Sequence, residues 1–398
     1  MIVTNQVLEP DILIVGSGIA GAALACAIRG RGYNVVLVER SVQPPDTARG
    51  DHLQPYSVAL LENWGVLEDF LAAGAERRLG TIYLSEEQEI ILSAPLERLE
   101  IPHPYYLYLN HDVIGSVLLK KAGDDKNFTL LRPATASGFS FDNERMRSVN
   151  VSLPDDTVVE VRAHLVVGAD GRNSRVCHAA GIPARTHKYP RPLVAMFGPH
   201  PLPDPRNEVL SFLGNDKITV CIPRIGGIAK IGFTLDPSEI PFWRNSTVEQ
   251  RREAVAQRVP CLAGYESELA GFFPVIQVTT TAYTHGNVVL LGDAAHAMHP
   301  ARGQGMNVAL RGIERLIDCL PSPRMIADPV QLHAALQRYD AMQKQANTRL
   351  LEDNHARARE NVGALRAYLG KVAGDQRLTA RYVRETTGYS PEPERNLV

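Results

Sequence analysis

The chain has 398 residues, 44% hydrophobic and 22% charged, a globular balance that excludes wholesale disorder and a continuous coiled coil. Its 42 Lys and Arg against 44 Asp and Glu give a net charge of −2, so no basic field exists to hold nucleic acid phosphates or an anionic membrane. The five cysteines (Cys26, Cys177, Cys221, Cys261, Cys319) form no C-x-x-C pair, which argues against a disulfide framework and a zinc site and for a reducing, cytoplasmic setting.

In chain order, Ile12 to Val15 is a continuous apolar run. It is followed by Gly16-Ser17-Gly18-Ile19-Ala20-Gly21, an Ala-rich helical stretch to Gly32, and a second apolar run at Val35 to Val38. This is the pattern of a βαβ unit with a buried parallel sheet. Residues 55 to 74 read as helix turning at Gly65, 79 to 93 as a strand pair, Tyr105 to Leu109 as a strand and Asp112 to Lys121 as a helix. Strands follow at 128–131, 136–141 and 147–153, and a buried strand at Ala163 to Val167 runs into Gly168-Ala169-Asp170-Gly171. From 181 to 274 proline is frequent, and strands at 193–198, 208–213, 217–222 and 228–234 with a helix at 247–258 suggest a separate antiparallel sheet. The buried-strand style returns at Asn287, helical chain runs to about Leu369, and the stretch from Tyr389 onward reads as loosely ordered. No apolar stretch approaches the roughly 20 residues that span a bilayer, and Met1 to Pro10 lacks the basic segment of a signal peptide.

The glycine pattern carries the first chemistry. Gly16 permits a tight turn, Gly18 lets a pyrophosphate approach the backbone, Gly21 allows close helix packing, and the intervening Ser17, Ile19 and Ala20 lie against the same group. Glu39, closing the next strand, is placed to accept hydrogen bonds from an adenosine ribose. An ADP-bearing cofactor is expected, and this motif alone does not separate FAD from NAD. The late segment does. Gly292-Asp293-Ala-Ala-His296 leads through Pro300 to Gly303-Gln304-Gly305-Met306-Asn307, a second strand-to-helix junction with glycines where backbone must face a ligand. FAD, being long, needs such a return, with Asp293 for the ribityl hydroxyls and a helix N-terminus aimed at the flavin ring.

These motifs, in this order with Gly168-Ala-Asp170-Gly171-Arg-Asn-Ser174 between them, resemble the class A flavoprotein monooxygenases, the para-hydroxybenzoate hydroxylase-like family, over about residues 10 to 350. The resemblance implies an α/β fold: a Rossmann-like FAD-binding domain with an inserted antiparallel-sheet substrate domain and a helical C-terminal part. The FAD-binding domain is expected from 1–78, 102–180 and 275–330, the substrate sheet from 79–101 and 181–274, and C-terminal helices and tail from 331–398. The resemblance also implies that Asp170 serves FAD and transient NAD(P)H binding, that Arg49 lies in a basic loop beside the flavin, and that Arg40 and the backbone near Ala136 meet the adenosine end. Asn110 stands where the family has Arg or Gln reaching FAD, Cys177 where an Arg is common, and Gly312 where an acid is frequent.

The implied reaction takes NAD(P)H and O2 and hydroxylates an aromatic or heteroaromatic small molecule through a flavin C4a-hydroperoxide, the cofactor carrying the chemistry. Epoxidation, halogenation or prenyl-chain reduction on the same scaffold and a flavin carrier without turnover are the alternatives. Halogenation is disfavoured because Trp64 and Trp243 are the only tryptophans. Among protein groups, His52 is the candidate base toward a phenol, with His296 and His299 beside Pro300 as others. Tyr106 and Tyr108 share one strand face and Tyr105 the other, where packing explains both. A monomer or homodimer without nucleic acid partner or membrane span is expected.

Overall fold

The computed structural model describes residues 6–42, 52–199, 208–214, 217–224, 226–300 and 303–389. Arg49 lies outside them.

A six-stranded sheet organises the first part of the fold. Its order is Thr284–His285, Val288–Leu290, Leu165–Gly168, Ile12–Val15, Val35–Val38 and Phe128–Leu131, all parallel except the first pair. The central strands are covered on both faces, which is why Ile12–Val15, Val35–Val38 and Leu165–Gly168 are buried throughout. The helix Ile19–Ala27 packs on the helices His111–Ala122 and Gly305–Cys319. A four-stranded sheet, Gln6–Leu8, Val158–Val161, Arg145–Ser152 and Thr135–Asp142, contributes Val149, Val151, Val159 and Val161 to the same core.

The second sheet has seven strands: Glu268–Phe273, Leu193–Pro199, Ile228–Thr234, Ile218–Arg224, Glu208–Leu213, Gly80–Ser85 and Ile90–Pro95. Its pairings are antiparallel except that of Glu208–Leu213 with Gly80–Ser85. Alternation gives it two faces. One carries Ile82, Leu84, Leu210, Phe212, Cys221, Ile231 and Phe233 into a core with Trp243, Val255 and Leu262. From the other, Leu92, Ala94, Val209 and Leu213 meet Tyr106, Tyr108 and the C-terminal helices Val362–Ala373 and Gln376–Glu385.

Helix continues well past the expected end at Leu369. Asp375 accepts hydrogen bonds from the backbone of Arg377 and Leu378 and so starts a new helix, whose Tyr382 and Val383 bury against the sheet. The following residues turn inward: Thr387 is fully buried, its carbonyl accepts a hydrogen bond from Tyr56 N at 3.0 Å, and the Gly388 carbonyl accepts one from Arg311 at 3.4 Å. The chain from Tyr389 onward was expected to be loose; Tyr389 itself packs edge-on against Tyr56. Strands at Val158–Val161, Glu268–Phe273 and Ile276–Thr280 also went unread. The helical stretch 55–74 divides as expected at Gly65, into Pro55–Asn63 and Leu67–Ala72.

Candidate functional site

The early glycine turn joins strand Ile12–Val15 to helix Ile19–Ala27. A Cβ on Gly16 would lie 2.5 Å from the Ala169 carbonyl oxygen, and one on Gly21 would lie 1.9 Å from that of Gly16. Both positions are glycine because backbone already fills the space. Gly18 differs: a Cβ there would meet nothing within 4 Å. Gly18 caps the helix without a side-chain hydrogen bond, so an open approach leads to a helix end whose first N–H groups await acceptors.

Glu39 stands beside this turn. Its Oε2 accepts hydrogen bonds from Ser17 N at 2.8 Å and Ser17 Oγ at 3.0 Å, and its Oε1 accepts one from Ser41 N at 2.8 Å. Burial alone would raise its pKa, but the bonds from Ser41 and Ser17 outweigh it and hold the carboxyl below its ordinary value. Ala134 N donates to the Glu39 carbonyl at 2.7 Å, which brings the strand containing buried Ala136 alongside. Arg40 is exposed next to Glu39. Asn110 precedes the helix His111–Ala122 but does not cap it, and its Oδ1 is buried without a hydrogen-bond partner.

The late segment arrives on the other side of Ile19–Ala27. Gly292 has φ +58°, and a Cβ on it would lie 2.9 Å from the Ala20 Cβ, so the turn at Asp293 is seated directly on the early helix. Asp293 is half-buried at the start of that turn. Pro300 is exposed, and its carbonyl accepts a hydrogen bond from Gly303 N at 3.0 Å. Gln304 and Gly305 begin the helix Gly305–Cys319, and Met306 packs on the core. Asn307 is fully buried: its Oδ1 accepts from Gln54 N at 2.8 Å, and its Nδ2 donates to the carbonyls of His52 at 3.1 Å and Gly303 at 3.0 Å. Its amide is therefore spent on fastening the late loop to residues 52–54.

Asp170 is committed in the same way. Its carboxylate accepts hydrogen bonds from Ser174 Oγ, Arg175 N at 2.7 Å and Val176 N at 3.2 Å, fixing the helix Arg175–Ala179. The glycine at 312 also has a packing reason, since a Cβ there would lie 2.5 Å from Gln343 Nε2.

His52 lies where the two sheets meet. It pairs with Tyr108 in a short ladder, stacks on the Tyr108 ring at 5.4 Å and meets Tyr106 edge-on at 4.6 Å. A Cβ on Gly303 would lie 2.6 Å from His52 Nδ1, so the imidazole borders the late loop. Its Nε2 is buried without a hydrogen-bond partner. Burial, with the charge of Lys230, holds its pKa down at about 4, so the ring is neutral at pH 7. His296 and His299 face elsewhere. His296 lies against Tyr283, held at about 4 by burial and by Arg311 and Arg315. His299 lies against Tyr189, held at about 4 by burial and by His355. The tyrosines 106 and 108 were read only as packing; their contact with His52 depends on a ladder between distant strands that no local pattern announces. Gln54, bonded to Asn307, and Lys230, whose charge acts on His52, were missed for the same reason.

These features suit an extended ADP-bearing group: an open, uncapped helix end at Gly18, a buried acceptor at Asn110 lacking a donor, and a second turn at Gly292 held against the first helix. Among the described residues no three metal-ligating side chains cluster, and no helix is long and apolar enough to cross a membrane.

Comparison with known proteins agrees. The model of the FAD binding domain family matches residues 9–383. The chain is 28% identical to the 3-demethoxyubiquinol 3-hydroxylase of Escherichia coli (strain K12) over 88% of each chain. It is 30% identical to the 6-methylpretetramide 4-monooxygenase of Streptomyces rimosus over 76% of this chain and 72% of that one. The crystal structure of p-nitrophenol 4-monooxygenase from Pseudomonas putida DLL-E4 shares the fold, with a TM-score of 0.80 over 97% of this chain and 100% of that one at 17% identity.

Proposed function

The chain belongs to the FAD binding domain family and is an FAD-dependent monooxygenase, and from that premise we propose that it uses NAD(P)H and O2 to hydroxylate a small aromatic or heteroaromatic molecule. The observation that carries this reading is the seating of the late turn at Gly292 on the early helix at Ala20, which lets one elongated cofactor touch both. Glu39 and the strand at Ala136 would hold the adenosine end, the Gly16–Gly21 turn the pyrophosphate, Asn110 and Asp293 the connecting chain, and the start of helix Gly305–Cys319 the ring. Bound FAD supplies storage of electrons from the nicotinamide nucleotide and activation of dioxygen.

The chain's own groups bind and orient. Neutral His52, with Nε2 buried and unengaged, accepts the hydrogen bond of a ring hydroxyl and orients it, while its depressed pKa keeps the proton on the substrate. Tyr106 and Tyr108 hold the imidazole from two sides and exclude water from it. A groove of about 440 Å³ lined by Arg172, His178, Thr186 and Ala294 supports docking of the nicotinamide nucleotide without a domain of its own. The cysteines Cys26, Cys177, Cys221, Cys261 and Cys319 are free, in keeping with a cytoplasmic enzyme.

The test is direct. Purified protein should be yellow, should oxidise NADH or NADPH faster in the presence of its aromatic substrate, and should yield a product heavier by one oxygen atom. A yellow protein whose nucleotide oxidation ignores every aromatic offered would speak for a flavin carrier instead.

A further inference from the structure

The turn Thr386–Tyr389 reaches three elements around His52: the strand Tyr106–Tyr108, the helix Pro55–Asn63 and the helix Gly305–Cys319. Thr386 Oγ1 accepts a hydrogen bond from the Tyr106 hydroxyl at 2.6 Å, the Thr387 carbonyl accepts one from Tyr56 N at 3.0 Å, and the Gly388 carbonyl accepts one from Arg311 Nη1 at 3.4 Å. The same Nη1 donates to Gln54 Oε1 at 3.3 Å. Gly388 has φ +84°, and a Cβ on it would lie 2.7 Å from Arg311 Nη1 and 3.0 Å from Gln54 Oε1. Bare backbone is therefore pressed against both groups. Tyr389 closes edge-on over the Tyr56 ring at 4.9 Å.

Gln54 is the hub of this arrangement. Its side chain faces Arg311, while its backbone N–H donates to Asn307 Oδ1 at 2.8 Å, and Asn307 in turn holds the carbonyls of His52 and Gly303. Burial and the charge of Arg315 bring the Arg311 pKa down to about 10, so it is still a cation at pH 7 and both of its bonds are charge-assisted. Keeping a guanidinium out of water is costly, and what these two bonds secure is a fixed distance between Gln54 and the Gly388 turn. Resting on the reading of His52 as the group that orients a ring hydroxyl, we propose that the turn Thr386–Tyr389 is a positioning element of the reaction centre. Arg311 is the positioning residue through which it fixes His52 against the late loop. Each nucleotide oxidised passes two electrons to O2. With the ring held in place, one oxygen atom enters it and the other leaves as water; with the ring displaced, both leave together as hydrogen peroxide. A displacement of about 1 Å can cost about a hundredfold in transfer.

The experiment compares the flavin-loaded, full-length enzyme with Arg311→Met, Arg311→Lys and Thr386→Val. It measures hydroxylated product per nucleotide oxidised, peroxide released, and backbone hydrogen exchange over residues 52–56 and 303–308. Arg311→Met should speed exchange at Gln54 and Tyr56 about tenfold and lower the product yield about tenfold, with a matching gain in peroxide. Arg311→Lys, which keeps a donor, should restore most of both, and Thr386→Val should move both in the same direction by less. Val255→Ala, which loosens the core beside Trp243 on the far face of the seven-stranded sheet, should lower the melting temperature without altering the yield. A purely structural Arg311 would behave the same way. An unchanged yield in Arg311→Met, or a yield lost while exchange over 52–56 stays slow, overturns the proposal. If Arg311→Met does not fold, Thr386→Val decides on the same two readouts. An unaltered enzyme that hydroxylates no aromatic loses the monooxygenase reading, and exchange then decides on the turn by itself: retained protection in Arg311→Met overturns its hold on His52, and lost protection sustains it.

Discussion

The glycine turn proposed to hold the cofactor is built with backbone, and the His52 neighbourhood proposed to receive the aromatic ring is built with side chains gathered from distant strands. At the first end the decisive atoms are missing ones: no Cβ at Gly16 or Gly21, because carbonyls occupy the space, and none at Gly18, because the space is left open. At the second end the decisive atoms are the His52 imidazole, the Asn307 amide and two tyrosine rings. The difference teaches that one end responds to added volume and the other to altered charge and hydrogen bonding.

Acidification should have the largest effect, acting on His52 at the side-chain end and on two further buried histidines outside it. His52, His296 and His299 each have a folded pKa of about 4, below the usual value near 6.5. The unfolded chain therefore binds more protons, and stability complete above about pH 6.5 is lost as pH falls toward about 4. The ceiling is on the order of 3 kcal/mol per histidine. Denaturant midpoints measured at stepped pH should fall across that window, and His299→Asn should shallow the slope; a flat profile would contradict the burial of these rings.

Added volume tests the other end. Gly21→Ala places a methyl 1.9 Å from the Gly16 oxygen and should cost about 3 kcal/mol or more, with loss of flavin from the purified protein. Next comes Asn307→Ala, which removes the amide bonded to Gln54, His52 and Gly303. It should lower stability by about 2–3 kcal/mol, read by calorimetry, and blur the visible flavin spectrum as the late loop loosens. Smallest is Gly18→Ala, where the methyl points into open space. The fold should keep its stability to within about 1 kcal/mol, while flavin affinity, measured by titrating the apoprotein, drops. Equal melting temperatures for Gly18→Ala and Gly21→Ala would erase the distinction between the two glycines.

The same contrast explains what was legible in the amino-acid order. The fold class, the family and the cofactor are written in local patterns: an apolar run, glycines at fixed offsets, and an acid closing the next strand all belong to contiguous stretches. Their placement beside one another, as with Ser17 and Glu39, follows from a single βαβ turn. The neighbourhood of His52 is different. It depends on the pairing of His52 with Tyr108 and on the alternation that turns Lys230 away from Ala229 and Ile231, and neither register is visible without the ladder itself. Asp170 and Asn307 show a third situation. Both stand in motifs that attract attention, yet their polar atoms bond to their own polypeptide, a distinction that spacing does not reveal. Helix Gln376–Glu385 escaped because its surface is polar and only Tyr382 and Val383 are buried.

The inward turn at Thr387 carries a consequence for synthesis. Its carbonyl completes the first turn of Pro55–Asn63, two residues after the His52–Leu53 strand, so the segment holding the imidazole waits for chain made more than three hundred residues later. At about 5–20 residues per second, that interval is on the order of tens of seconds on the ribosome. Throughout it Tyr106, whose hydroxyl donates to Thr386, lacks its final cover. A nascent chain of this enzyme should therefore depend on chaperones chiefly around His52, Tyr106 and the segment Pro55–Asn63, whose covering residues are the last to emerge.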